Sequence, residues 1–207
     1  MLKITKKNEK PIFSEIRRKY TTYAEIRKDE KDMIKEILIE EQNQRCAYCM
    51  CRIDLSSTSI EHYIPQSVDP SLSIDYRNMF AVCNITKNNP REHQTCDAHR
   101  GNSALHIDPR SKSDIDTIQY THSGGIKSVK DVFDNDLNAI LNLNDERLRN
   151  NRMAAMKALA DRFNKNKDRE WSRKKIESFL SDLKSPDNNT PYSGYLIFIL
   201  EKRLKRF

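Results

Sequence analysis

The chain has 207 residues, 32% of them charged and 37% hydrophobic, with a formal net charge of +7. That length can bury a real core, and the charge density suits a helix-rich soluble protein with wet faces. The longest apolar run, residues 194–200, is far short of a membrane span; the first residues carry no apolar signal region, so a cytoplasmic location is expected.

The charge is unevenly spread. Residues 1–45 hold twelve basic and nine acidic side chains, residues 46–144 nine and twelve, and residues 145–207 sixteen and nine. A mildly acidic centre between basic flanks suits a polyanion gripped by the flanks with a cation held at the centre.

In chain order, residues 1–20 read as a basic arm with scattered apolar anchors (Leu2, Ile4, Ile12, Phe13, Ile16), ordered on the body or else a lysine-rich tail. Thr21 or Thr22 can cap a helix running to about Gln44, with Tyr23, Ile26, Met33, Ile34, Ile37 and Leu38 on one face. Residues 60–64 read as a strand stopped by Pro65, residues 76–83 as a helical or strand-like element, and residues 84–95 as a loop. Asp97 sits where a helix N-cap belongs. Residues 117–121 and 126–129 flank His122-Ser-Gly-Gly and predict a hairpin. Asn144-Asp-Glu opens a long helix carrying Leu148, Met153, Met156, Leu159 and Phe163. Trp171, Ile176, Phe179 and Leu180 mark another, residues 185–191 a loop, and residues 195–204 a final helix that is apolar, then basic.

All five cysteines lie between residues 46 and 96. An odd count with a Cys-x-x-Cys pair and no export signal favours a metal over disulfides. Cys46 and Cys49 make a knuckle pair for tetrahedral zinc. Cys83 and Cys96 are the best second pair despite twelve intervening residues, which residues 84–95 explain as a loop insertion; His93-x-x-Cys96 keeps His93 as reserve ligand, and Cys51 is left over.

Hydrolysis of a phosphodiester needs a base near neutral pKa and a cation for the developing charge. Histidine supplies the first, and oxygen ligands hold Mg²⁺ for the second. Glu61 and His62 are adjacent, so on a strand they point to opposite faces unless the element twists into the bend at Pro65.

The order Cys-x-x-Cys, Glu61-His62-x-x-Pro65, Asn78-x-x-x-x-Cys83, Cys96-Asp97-x-x-Arg100-Gly-Asn resembles the HNH endonucleases over residues 46–102. The resemblance implies an α+β, mainly helical fold with a zinc-stapled ββα-metal core, flanked by N- and C-terminal helices and a small β-hairpin. It implies His62 as general base, Glu61 and Asp97 as ligands of a catalytic Mg²⁺ or similar divalent ion, Asn78 as the anchor of the loop between two strands, and Arg100 as a phosphate contact. Asp97 stands where the family usually has His or Asn, which makes His99 a rival ligand. The expected divisions are an N-terminal arm and helix (1–45), a nuclease core (46–110), and a hairpin with C-terminal helices (111–207).

The wider pattern, with Ile140-Leu-Asn-Leu-Asn144 before a long helix, is similar to the HNH subunits of Septu-type and retron-associated anti-phage systems. That likeness implies a toxic effector controlled by an ABC-type ATPase subunit (PtuA-like), with a retron reverse transcriptase and its RNA–DNA product as further partners, and DNA or RNA, including tRNA, as substrate. The competing expectation is a non-catalytic zinc module that binds nucleic acid or protein.

Overall fold

The computed structural model describes residues 1–164 and 171–207. It is mainly helical, with two small antiparallel sheets. The N-terminal arm is ordered: α1 (Pro11–Lys19) starts on a proline, buries Phe13 and Ile16, and follows an extended stretch whose Ile4 N–H donates to the Pro109 carbonyl.

The helix expected from Thr21 is split. Thr22 and Glu25 form a capping box around a single 3₁₀ turn, Tyr23–Glu25. Ile26 and Arg27 then go extended, and α2 runs only over Lys28–Glu41. The break lets Ile26 bury with the core while the turn before it swings Tyr23 toward the centre of the molecule.

Strand β1 (Thr58–His62) pairs antiparallel with β2 (Met79–Cys83), placing Glu61 opposite Phe80 and His62 opposite Met79. The ambiguous segment before Cys83 resolves into a 3₁₀ turn, Tyr76–Asn78, followed by this strand. All five residues of β2 are buried, so no alternation marks it as a strand. Its outer edge is closed by Gln42, whose carboxamide accepts from the Ala81 N–H at 2.9 Å and donates to the Ala81 carbonyl at 2.7 Å. A buried edge thus keeps its backbone groups paired.

Asp97 opens α3 (Asp97–Arg100) as its first residue; the N-cap position belongs to Cys96, at φ +58°. The short α4 (Lys112–Ile115) leads to the predicted hairpin, β3 (Ile118–Tyr120) and β4 (Ile126–Ser128). Next come α5 (Asp131–Asn135) and a π-helical turn (Asp136–Ile140), neither of which hydrophobic spacing announced. Three longer helices follow: α6 (Glu146–Asn164), α7 (Arg173–Lys184) and α8 (Ser193–Leu204). Trp171 precedes α7 and stacks on Phe163 of α6. Met153 is exposed and Met156 half-buried, while Leu148, Leu159 and Phe163 carry the helix into the core.

Buried side chains from the arm, the cysteine-rich centre and the C-terminal helices form one continuous cluster. No helix among the described residues is long and apolar enough to cross a membrane. The second hairpin is tied to α6 by Arg152, which is buried and donates to the carbonyls of Gly124 and Leu143. Asn144 joins in, pairing its side chain with both backbone groups of Ile126. Gly124 sits at φ +76°, and a Cβ there would lie 2.3 Å from the Arg149 carbonyl oxygen. Both backbone strain and a collision with rigid backbone oppose a side chain. Gly124→Ala is therefore expected to lower unfolding stability by about 2–4 kcal/mol, read as a fall in urea midpoint at unchanged slope.

Candidate active site

The metal knuckle grows directly out of α2. Asn43 and Gln44 both take positive φ and turn the chain back. The Cys46 N–H donates to the Cys51 carbonyl at 3.0 Å, the Met50 N–H to the Cys46 carbonyl at 3.1 Å, and the Cys51 N–H points at the Cys49 sulfur at 3.5 Å. Met50, at φ +62°, closes the loop. Both sulfurs of the pair therefore face one point, with a backbone donor supporting one of them.

Cys83 ends β2 and Cys96 precedes α3. Between them, residues 84–95 fold away as a closed loop. Its neck is a clasp of two buried threonines: Thr95 N–H donates to Thr86 Oγ1 at 2.9 Å, and the two hydroxyls are 3.2 Å apart. Cys96 is fastened from the other side by its N–H to the Leu141 carbonyl. The result is a cluster of four buried cysteine sulfurs, Cys46, Cys49, Cys83 and Cys96, all within 4.8 Å of one another and none in a disulfide.

These four could hold a metal such as zinc. Zn–S bonds of about 2.3 Å in a regular tetrahedron put the sulfurs about 3.8 Å apart. Cys46 and Cys96 are 3.8 Å apart, and Cys49 and Cys83 3.7 Å. The donor set is soft, closed and complete, as a structural site requires. His93 has no place in it: its side chain is 64% exposed and faces Asp145 at 3.6 Å. No other group of three or more His, Cys, Asp or Glu ligand atoms draws as close among the described residues.

The second centre lies at the end of β1. Glu61 is buried; its Oε1 accepts from the Tyr48 hydroxyl at 2.9 Å and from Arg100. Burial pushes the Glu61 carboxyl up to about 8, against the pull of the Arg100 guanidinium, and the Asp97 carboxyl hydrogen-bonded beside it adds to the push. Glu61 thus sits between a buried guanidinium, Arg100, and a second carboxyl, Asp97. Two carboxyl groups this close gain from a further positive charge, and carboxylate oxygens suit a hard divalent cation.

Arg100 departs from the sequence expectation of a phosphate contact. Its side chain is wholly buried. Besides Glu61 it donates to the carbonyls of His62 at 3.1 Å, Tyr63 at 2.6 Å and Ser103 at 2.8 Å, with Tyr48 Oη at 3.3 Å. A guanidinium so occupied joins α3 to the end of β1 and presents nothing outward.

His62, next in the strand, turns to a different wall. Its Nε2 lies 2.9 Å from the Ser73 carbonyl, which can only accept, so Nε2 carries the proton and Nδ1 the lone pair. The exposed Gln66 amide approaches Nδ1 at 3.2 Å, and the Tyr23 ring packs edge-on at 4.8 Å. Burial pushes the imidazole below its ordinary value, while the Ser73 carbonyl and Asp97 pull the other way. Asn78 is buried between the strands. Its amide accepts from the Ile64 N–H at 2.7 Å and donates to the carbonyls of Ile64 and Leu72, so it pins both ends of the loop after His62. His99 donates from Nδ1 to the Ile140 carbonyl, leaving Nε2 as its lone-pair nitrogen, two residues from Asp97.

Tyr48, Ser73, Gln66 and Tyr23 complete these surroundings and were not singled out by motif reading. Only Tyr48 carried a signal, lying inside Cys46-Ala-Tyr-Cys49.

Two curated proteins are similar to this chain. One is named Septu protein PtuB, from Bacillus thuringiensis, 38% identical over 55 residues, which is 26% of this chain and 21% of that protein. The other is named Retron Vc95 putative HNH endonuclease, from Vibrio cholerae serotype O1 biovar El Tor, 29% identical over 109 residues, 49% of this chain and 52% of that protein. The matched stretches thus cover about a fifth and about half of the curated relatives. No family model matches the chain.

Arg100→Ala should destabilise the fold by about 3–5 kcal/mol, because it strands a buried carboxyl and three carbonyls; denaturant melts at fixed metal content measure it. The sulfur cluster should carry one zinc per chain by elemental analysis. Cys49→Ala or chelation should remove that zinc and shift the thermal transition down by more than 10 °C, a stabilisation of several kcal/mol.

Proposed function

We propose that this chain is a metal-dependent endonuclease of the HNH type, hydrolysing phosphodiester bonds in DNA or RNA. The observation that carries the reading is the His62 tautomer. The Ser73 carbonyl fixes the proton on Nε2, burial favours the neutral ring, and His62 follows Glu61 at the end of β1, near enough to feel the charge of Asp97. A water that displaces the exposed Gln66 amide from Nδ1 would surrender its proton to a ring held by the Ser73 carbonyl. Asn78 holds the strand–loop junction that presents this nitrogen, and Arg100 is a positioning residue that orients Glu61. Glu61 and Asp97, with His99 as the rival, would hold a divalent ion such as Mg²⁺, which when bound stabilises the charge that develops on the phosphate. Zinc on the four cysteines would be structural.

The relatives' names support a place in anti-phage defence, with this chain as the toxic effector. On that reading its activity is governed by an ABC-type ATPase subunit, and a retron reverse transcriptase with its RNA–DNA product is a further partner.

One observation favours a second reading, a non-catalytic zinc module. Glu61 already receives both Arg100 and the Tyr48 hydroxyl, an arrangement that a purely structural ion pair would also show.

Cleavage assays separate the two. The protein, with and without its co-expressed partner, is expected to cut DNA or tRNA in the presence of Mg²⁺. His62→Ala should reduce the rate at least a hundredfold, the usual contribution of general base catalysis being about 10²–10⁴, while leaving the zinc content unchanged and the protein folded, with only the fall in melting temperature that losing a buried side chain brings. Since His62 works unprotonated and its pKa is lowered, at saturating Mg²⁺, which holds Glu61 ionised, the wild-type rate should rise with pH on a limb centred below the ordinary imidazole value of about 6.5 and be level by neutral pH. Undiminished cutting by His62→Ala would remove the base assignment. Failure of the wild type to cut any nucleic acid in the complex would favour the module.

A further inference from the structure

Far from the site, three helix ends converge on Trp171. Its ring stacks on Phe163, near the end of α6, at 3.9 Å and 15°. Phe163 in turn stacks on Phe179 of α7 at 4.2 Å. Arg203, from the last turn of α8, lies over the outer face of Trp171 at 4.3 Å, and Arg162 lies over Phe179 at 5.7 Å. This ladder of three rings between two guanidinium groups locks together segments that are remote in sequence.

The lock concentrates positive charge. The end of α8 adds Lys202, Lys205 and Arg206 to Arg203, and the start of α7 adds Arg173 and Lys174. All six are exposed. Among the described residues, the acids on these helix ends are fewer: Asp161, Glu177, which is paired with Arg173, and Glu201, which is paired with Lys184. Each end alone would read as a solvated helix face; held at one pole by the aromatic ladder, they form a single field.

The pole is also connected to the zinc centre. The Tyr192 N–H, at the start of α8, donates to the Met50 carbonyl in the knuckle at 2.9 Å. α8 then runs twelve residues outward, about 18 Å at 1.5 Å per residue, and delivers its basic end to the pole. That span matches about five base steps of duplex.

We propose that this pole is a nucleic-acid-binding exosite, which grips the phosphodiester backbone of the substrate without reading its bases. The proposal rests on the nuclease reading for its purpose, but it is tested by binding alone. A partner with an acidic protein surface, or an anionic lipid surface, is the alternative that the test must separate.

The experiment uses the full chain with its zinc and no added Mg²⁺. Binding of labelled 30-mer DNA and RNA, single- and double-stranded, is followed by fluorescence anisotropy from 50 to 300 mM salt. The pole variant combines Lys174→Gln, Lys202→Gln, Lys205→Gln and Arg206→Gln, which spares the aromatic ladder. The control variant combines Lys10→Gln, Arg18→Gln, Lys28→Gln and Lys127→Gln, four exposed cations elsewhere. The pole variant is expected to raise Kd at least tenfold and to lower the salt slope by about 2–3, each duplex phosphate contact being worth about 0.9; the control should change Kd less than twofold.

Absence of nucleic-acid binding by the wild type would overturn the proposal. So would equal losses in the two variants, or a pole variant that loses only binding to polyglutamate or to phosphatidylserine vesicles. Pole-dependent binding, with no cleavage of the same oligonucleotides once Mg²⁺ is added to the bound complex with its co-expressed partner, would leave the exosite standing and overturn the nuclease reading instead.

Discussion

Four sulfurs within 4.8 Å of one another are the constraint from which the centre of this molecule follows. Thiolates so close and so buried repel unless a cation lies between them, so a metal held by this cluster would form with it a single folding unit. Bringing Cys83 and Cys96 back to the knuckle aligns β2 with the turn after α2. It also sets Asp97, the residue after Cys96, against Glu61 of β1. The candidate catalytic carboxyl groups are thus brought together by the geometry of the sulfurs.

Arg100 carries that alignment across to the other centre. It leaves α3 one turn after Cys96 and ends on Glu61 and on the carbonyls of His62 and Tyr63. A buried guanidinium tolerates no slack, since each unpaired donor or acceptor would cost a desolvation penalty. The orientation of β1's last residues is therefore coupled to the metal cluster through one side chain. Asn78 does the neutral equivalent on the far side, closing the loop that follows His62 onto the start of β2.

Much of this was legible in the residues. The Cys46-x-x-Cys49 spacing, the glycine-rich turn of the second hairpin and the apolar stripes of the last helices are local signals, and they mark local structures. The second cysteine pair was readable from its order around Glu61-His62 and Asn78, with His93 as a workable reserve ligand. What could not be read depended on long-range burial. β2 shows no alternation because both its faces are covered. The helix expected from Thr21 breaks where Ile26 finds the core. Arg100 was expected to contact phosphate from its place in the motif, but an arginine's environment is set by distant partners, here Glu61, and not by its neighbours. His93 had suitable spacing, yet the Thr86–Thr95 clasp leaves it on the outside of the loop.

The adjacency of Glu61 and His62 posed a problem for a shared site, and the structure shows how strand geometry answers it. At the end of β1 the two side chains do go to opposite walls: Glu61 to Tyr48 and Arg100, His62 to Ser73 and Tyr23. The carboxyl pair and the imidazole therefore stand on separate supports. A group reacting with both must lie across the strand end, beyond His62, where the chain bends toward Pro65. That placement divides the labour between separate scaffolds. The oxygen pair depends on the sulfur cluster through Arg100 and Asp97. The imidazole depends on the Ser73 carbonyl and on the Asn78-braced loop. Disturbing one scaffold should leave the other's local geometry intact while abolishing their register, so activity would be more sensitive than folding to changes in the strand–loop junction.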